Sequence, residues 1–256
     1  MTLASHQVGH GPLPTLLVHG FLGAGRNLGG LARAWSHKDP SRTFVMPDLT
    51  GHGFSPPLPP GATLETLARD LVELLPSQGT VEIVGHSLGG RVALAALRIA
   101  PERISRVTLL DIAPGPIPSS ISEGSRVLRA LLDAPATAPD RETFRRALLS
   151  SGLEPGIAEW VMTNLRPGGE GYVWRIDARS LAEAAPRSNA VDLWPVVEAH
   201  ATRIRAIRGG RSPYVTDDDV RRLESSGVEV STLPEAGHFV HVDALAALVE
   251  LLTEAV

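Results

Sequence analysis

Short apolar runs recur along the chain, each ending close to Gly, Pro or Asp. They are Thr15–His19 (TLLVH), Thr43–Met46 (TFVM), Val81–Val84 (VEIV) and Val107–Leu110 (VTLL), then Ile204–Ile207 and Val228–Leu233. Between them the apolar positions repeat at helical spacing. Thr63 stands at an N-cap position ahead of Leu64, Leu67, Leu71 and Leu74, and Val92, Ala93, Ala96, Leu97 and Ala100 form a second stripe. Near-continuous apolar strands alternating with helices predict a parallel sheet covered on both faces. The stretch before Thr15 leaves room for at most one or two short edge strands.

This rhythm breaks between about Pro116 and Val197. Helix-like pieces occupy Ser122–Ala134, Arg141–Ser151, Pro155–Leu165 and Leu181–Ala185, with no clear buried strand, and Pro155 suits a first helical turn. The expected organisation is a core made of residues 1–115 and 198–256 with a helical cap inserted at 116–197. Open α/β sheets bind ligands at the carboxyl edge of their strands, so the insertion is expected to cover a pocket.

Composition removes several classes. The 256 residues suffice for one α/β domain with a sizeable core, and 24 Lys+Arg against 28 Asp+Glu leave a net charge of −4. Such a balance carries no electrostatic footprint for nucleic acid. With no cysteine, thiolate nucleophiles, disulfides and Cys-based metal sites are excluded. The segment Met1–Gln7 has neither the basic nor the apolar region of a signal peptide, and no apolar run approaches a membrane span. A cytoplasmic protein without membrane partners is expected.

The strongest chemical signal is Gly85-His86-Ser87-Leu88-Gly89-Gly90, which follows one predicted strand and opens a predicted helix. A G-x-S-x-G sequence in that setting is a nucleophile elbow: the sharp turn exposes the serine hydroxyl, and the flanking glycines permit close backbone packing. Ser87 is the candidate nucleophile. Acyl transfer also needs N–H donors for a developing oxyanion. The loop His19-Gly20-Phe21-Leu22-Gly23 after the first strong strand offers the Phe21 amide, and Leu88 offers the second.

A general base must stand at the same sheet edge, and His238, after the last predicted strand, qualifies. His241 is its rival but suits packing at the start of a helix; His19, His52 and His86 suit structural hydrogen bonding. Two stretches compete for the acid. Asp111 ends the strand after the nucleophile strand, whereas Asp217, Asp218 and Asp219 follow Thr216 as in the first turn of a capped helix. Strands lie only about 4.8 Å apart, so a carboxylate one strand away still reaches a histidine loop, and Asp111 is preferred. Asp48 precedes the serine, against the chain order Ser, acid, His, and suits anchoring the Gly51-His52-Gly53 turn. Leu22, Trp160 and Trp174 are candidates for lining an apolar acyl pocket; Trp160, Trp174 and Trp194 equally suit cap core. Arg91 suits either an anionic substrate or an exposed helix face.

Taken together, HGFLG, the PDLTGHGFSPP stretch at Pro47–Pro57, GHSLGG and AGHFVH at Ala236–His241 resemble the α/β-hydrolase fold over nearly the full chain. LLDIAPG at Leu109–Gly115 with RGGRSPYV at Arg208–Val215 resembles a subgroup of small carboxylesterases and thioesterases whose acid follows the strand after the nucleophile. That resemblance implies Asp111 as acid, with Ser212 at the usual acid position, and an eight-stranded, mostly parallel sheet. It implies cleavage of small-molecule acyl esters, short- to medium-chain, through an acyl-serine, with no metal or organic cofactor. The alternatives are a menaquinone-pathway type of lyase, which is similar around SLGGR at Ser87–Arg91, and a low-turnover ligand receptor.

Overall fold

The computed structural model describes residues 2–118 and 123–254. Its main sheet contains β1 (Ser5–Val8), β2 (Leu13–Val18), β3 (Arg42–Pro47), β4 (Val81–His86), β5 (Ile104–Leu110), β9 (Ile204–Gly209) and β10 (Glu229–Leu233). The strand order is β1-β3-β2-β4-β5-β9-β10; β1 runs antiparallel to β3 and all other neighbours are parallel. Among the described residues the sheet therefore has seven strands where the resemblance implied eight, with β1 as the edge strand ahead of β2.

Alternation along each strand sends successive side chains to opposite faces. Leu16, Val18, Ile83, Leu109 and Ala206 pack on one side, beneath α2 (Leu64–Glu73) and α3 (Leu88–Ile99). Leu17, Val84, Leu110 and Ile207 pack on the other, against α1 (Gly29–Lys38) and α11 (Leu245–Thr253). The apolar runs are near-continuous because both faces are covered. Thr63 caps α2 by accepting from the Thr66 amide at 3.4 Å, and the face Leu64, Leu67, Ala68 and Leu71 is buried.

Beyond β5 the chain leaves the sheet. It forms α4 (Glu123–Asp133), β6 (Thr137–Ala138), α5 (Arg141–Ser150), α6 (Pro155–Met162), β7 (Leu165–Gly168), β8 (Gly171–Trp174) and α7 (Ala178–Asn189). The predicted helix Ser122–Ala134 corresponds to α4; Ser122 itself lies outside the described residues. Besides its helices the insertion carries a small antiparallel sheet of β6, β8 and β7, where the apolar pattern shows no clear buried strand. These strands are two to four residues long and mostly half-buried or exposed, so they lack the apolar runs of a buried sheet. The helix expected to run to Leu165 stops at Met162, and Leu165 opens β7. Val127, Leu131, Phe144, Leu148, Val161 and Met162 belong to a hydrophobic cluster of their own. By contrast, Trp194, Val196 and Val197 of α8 (Trp194–His200) join the main core, although the 116–197 boundary assigned them to the insertion. The chain closes through α9 (Asp217–Ser225), β10, α10 (Val240–Asp243) and α11. No helix among the described residues is long and apolar enough to cross a membrane.

Candidate active site

Ser87 sits between β4 and α3 with φ 52° and ψ −117°, a conformation that costs an L-residue about 1–3 kcal/mol and persists only where its surroundings enforce it. The enforcing contacts are the Ser87 amide donating to the Leu110 carbonyl (3.0 Å) and the Gly90 amide donating to the Ser87 carbonyl (2.9 Å). The glycines are steric requirements. A Cβ on Gly85 would lie 2.4 Å from the Gly89 carbonyl group, and one on Gly89 would lie 2.2 Å from the Val18 oxygen. Leu88 begins α3, so its N–H is one of the amides that a helix leaves without an internal acceptor.

Strand register brings the acid to the histidine. His86 pairs with Leu110, and Leu110 with Ile207, so Ser87 and Asp111 leave adjacent strands side by side. Asp111 is fully buried. Its Oδ1 accepts from the Gly209 amide at 2.8 Å, while Oδ2 accepts from the Ser212 hydroxyl and meets His238 Nδ1 at 2.7 Å. The carboxylate thus joins the end of β9 to the loops after β9 and β10, and the loop residue Ser212 donates to the acid rather than replacing it. Among the described non-glycine residues, only Leu22 (φ 61°), Ser87 and Asp111 (φ 52° each) have positive φ. All three stand where chain segments turn away from the carboxyl edge of the sheet.

Asp217, Asp218 and Asp219 occupy the first turn of α9, capped by Thr216. The Asp217 side chain is 76% exposed and paired with Arg208 at 2.8 Å. The main-chain carbonyl of His238 accepts from His86 Nε2 at 2.8 Å, and the His238 ring stacks on Tyr214 with centroids 4.0 Å apart. The pattern reading missed Tyr214 and Phe239 at the site. They lie in loops without periodicity, and their only sequence trace is an aromatic residue beside Ser212 or His238.

The neighbouring histidines hold loops. His19 Nε2 accepts from the Leu49 amide (3.0 Å) and its Nδ1 donates to the Gly20 carbonyl (2.8 Å). Burial pushes the His19 pKa down to about 4 and that of His52 to about 3. It also holds His86 well below the ordinary imidazole range and His241 at about 4, where the neighbouring His238 ring adds to the effect. All four rings are neutral at pH 7. Asp48 accepts from the Gly25 and Phe54 amides (2.7 and 2.8 Å) and so ties the loop after β3 to the chain after β2.

Ser87, His238 and Phe21 open into one mainly apolar cavity under the insertion, about 1180 Å³ together with the open solvent at its mouth. Trp160 lines it, edge-on to Phe239. The two other pocket candidates are corrected. Leu22 is fully buried among insertion side chains, because its positive φ turns it away from the cavity. Trp174 packs edge-on against Phe144, and its Nε1 donates to the Pro135 carbonyl at 3.0 Å, which makes it insertion core. Arg91 is neither exposed nor free for a substrate anion: it is fully buried, with its terminal nitrogens bonded to main-chain carbonyls. Among the described residues no three His, Cys, Asp or Glu side chains cluster in a way that could hold a metal ion.

Comparison with known proteins gives the family of the chain. A model of the "Alpha/beta hydrolase family" matches residues 15–251. An sn-1-specific diacylglycerol lipase of Mus musculus is 30% identical over 92% of this chain and 78% of its own length. An esterase of Escherichia coli (strain K12) is 27% identical over 91% of this chain and 89% of its own. An esterase of Mycobacterium tuberculosis is 30% identical over 80% of this chain and 71% of its own. Among solved structures, a marine microorganism esterase superposes with a TM-score of 0.83 over 98% of both chains, at 22% identity. The chain belongs to the alpha/beta hydrolase family and groups within it with esterases.

Proposed function

We propose that this protein is a serine carboxylesterase that cleaves short- to medium-chain acyl esters through a covalent acyl-Ser87 intermediate. The observation that carries the reading is the 2.7 Å contact from Asp111 to His238 Nδ1 at a cavity that Ser87 also lines. With Asp111 accepting at Nδ1–H, the other ring nitrogen of His238 is left as the base. His238 takes the Ser87 proton as the hydroxyl oxygen attacks the ester carbonyl, and the resulting imidazolium is stabilised by Asp111. The Phe21 and Leu88 amides, one on the loop after β2 and one at the N-terminus of α3, receive the oxyanion. His238 then protonates the leaving alcohol; water repeats the sequence, its proton going to His238 and its oxygen to the acyl carbon, and Ser87 is regenerated.

The substrate class rests on the apolar cavity walls and on relatives named as esterases and lipases. The insertion acts as a cap whose helices close over the acyl chain, and the protein works in the cytoplasm on small molecules. Initial rates across p-nitrophenyl esters of increasing acyl length, together with mass analysis of rapidly quenched enzyme, test the proposal. Acyl mass on the Ser87 peptide and loss of turnover in Ser87→Ala are expected. A Ser87→Ala protein that still turns over the shortest ester overturns it.

A further inference from the structure

Helix α3 carries a second buried polar group one turn beyond Ser87. Arg91 is 0% exposed and pairs with no carboxylate among the described residues. Its Nη1 donates to the carbonyls of Pro114 (3.4 Å) and Gly115 (2.5 Å), and its Nη2 to those of Ser188 (3.1 Å) and Val191 (2.5 Å). These acceptors belong to two segments only: the loop by which the chain leaves β5 for the insertion, and the end of α7 by which it returns. The segments also hold each other. The Ile117 amide donates to the Asn189 carbonyl and the Leu193 amide to the Pro114 carbonyl, both at 3.0 Å.

Burying a cation without a partner is costly, and four carbonyl dipoles supply the compensation here. Those of Ser188 and Val191 stand at the C-terminal end of α7, where the helix dipole is negative. Burial pushes the guanidinium pKa down to about 10 against the opposing charge of Asp192, so the group stays cationic at neutral pH. A lysine ammonium is a single point of charge, whereas the planar fork of arginine reaches both segments at once. The tethered helix is also a wall of the cavity, to which Leu181, Ala184 and Ala185 contribute.

We propose that Arg91 is a positioning residue that ties the neck of the insertion to the nucleophile helix. It thereby sets the spacing between Ser87 and the α7 wall, and with it the acyl length the cavity accepts. Arg91 borders the cavity but holds its terminal nitrogens on main-chain carbonyls, and only the kinetic consequence of the tether rests on the esterase reading. Arg91→Met keeps the length of the side chain and removes every donor; Arg91→Lys keeps the charge without the fork.

Amide hydrogen exchange is expected to be faster in Arg91→Met than in wild type at Gly115 and Ile117 and along α7, by about tenfold or more, with α2 and α11 unchanged. The ratio of kcat/KM between the longest and shortest accepted acyl esters is expected to fall by about tenfold, mainly through KM, with Arg91→Lys intermediate. Unchanged exchange at α7 in folded Arg91→Met overturns the proposal. Faster exchange with an unchanged ratio does so too, since the wall would then move without selecting chain length. Should Arg91→Met fail to fold, Arg91→Lys is held to the same two criteria. Wild-type protein with no ester turnover would sink the proposed reaction alone, and the exchange measurement would still decide the tether.

Discussion

Replacing Asp111 by asparagine leaves size and shape nearly unchanged and removes one charge. Both carboxylate oxygens are acceptors in the structure, Oδ1 from the Gly209 amide and Oδ2 from Ser212 and His238. An amide satisfies only one of them. With its NH₂ at the Oδ1 position, two donors face each other at a buried Gly209 N–H. With its NH₂ at the Oδ2 position, the Ser212 hydroxyl can turn to accept, but His238 Nδ1 must also become an acceptor. The ring proton then moves to Nε2, and the nitrogen needed to take the Ser87 proton is blocked. A wrong tautomer of this kind lowers kcat by about 10⁴, which is about 5.4 kcal/mol of transition-state stabilisation. Asp217→Asn is the control, because that carboxylate is 76% exposed and paired with Arg208 outside the cavity. Its loss is expected to stay within about twofold. The assay is initial rate on a p-nitrophenyl ester, normalised by active-site titration, with circular dichroism to confirm folding. A larger loss for Asp217→Asn, or more than a tenth of wild-type kcat in Asp111→Asn, refutes the assignment of the acid.

Further outcomes follow from the same geometry. Ser212→Ala removes one hydrogen bond to the buried Asp111 carboxylate and is expected to cost about 1.5 kcal/mol, or about tenfold in kcat/KM, measured on the same ester. Gly89→Ala drives a methyl to 2.2 Å from the Val18 oxygen. Thermal unfolding should show a loss of about 3 kcal/mol or more, and an unchanged Tm would contradict the packing at the elbow. Stability should fall as pH drops from 6.5 towards 4. In that range the unfolded chain protonates His19, His52, His86 and His241 while the folded protein holds them neutral. At pH 5 the effect is about 2 kcal/mol for each of His19 and His241. Equal urea midpoints at pH 7 and pH 5 would contradict it.

Much of this molecule was legible in residue order because the informative interactions are local or periodic. The inner strands of the main sheet appear as near-continuous apolar runs since both faces are covered, and Gly85-x-Ser87-x-Gly89 carries its own steric reason. Thr216 ahead of three aspartates identifies a helix cap without any knowledge of the fold. Position along the chain also singled out His238. What periodicity does not carry is direction. Leu22, Trp160 and Trp174 look alike as apolar candidates, yet a positive φ turns the first away and a carbonyl of Pro135 draws in the third. The β6–β8–β7 sheet was invisible because its strands are too short and too exposed to form runs.

The residue types and their order by themselves determined the sheet, the elbow and the set of side chains able to do acyl chemistry. Residue order already preferred Asp111, and tertiary structure supplies the contact itself, Asp111 Oδ2 to His238 Nδ1. That depends on the pairing of β5 between β4 and β9, which brings Asp111 and Gly209 together across 98 residues of chain. It likewise decided the fate of Arg91, whose four acceptors come from segments more than twenty residues away in sequence. Long-range contacts of this kind leave no local pattern, because main-chain carbonyls are the same at every residue and only the fold determines which of them converge.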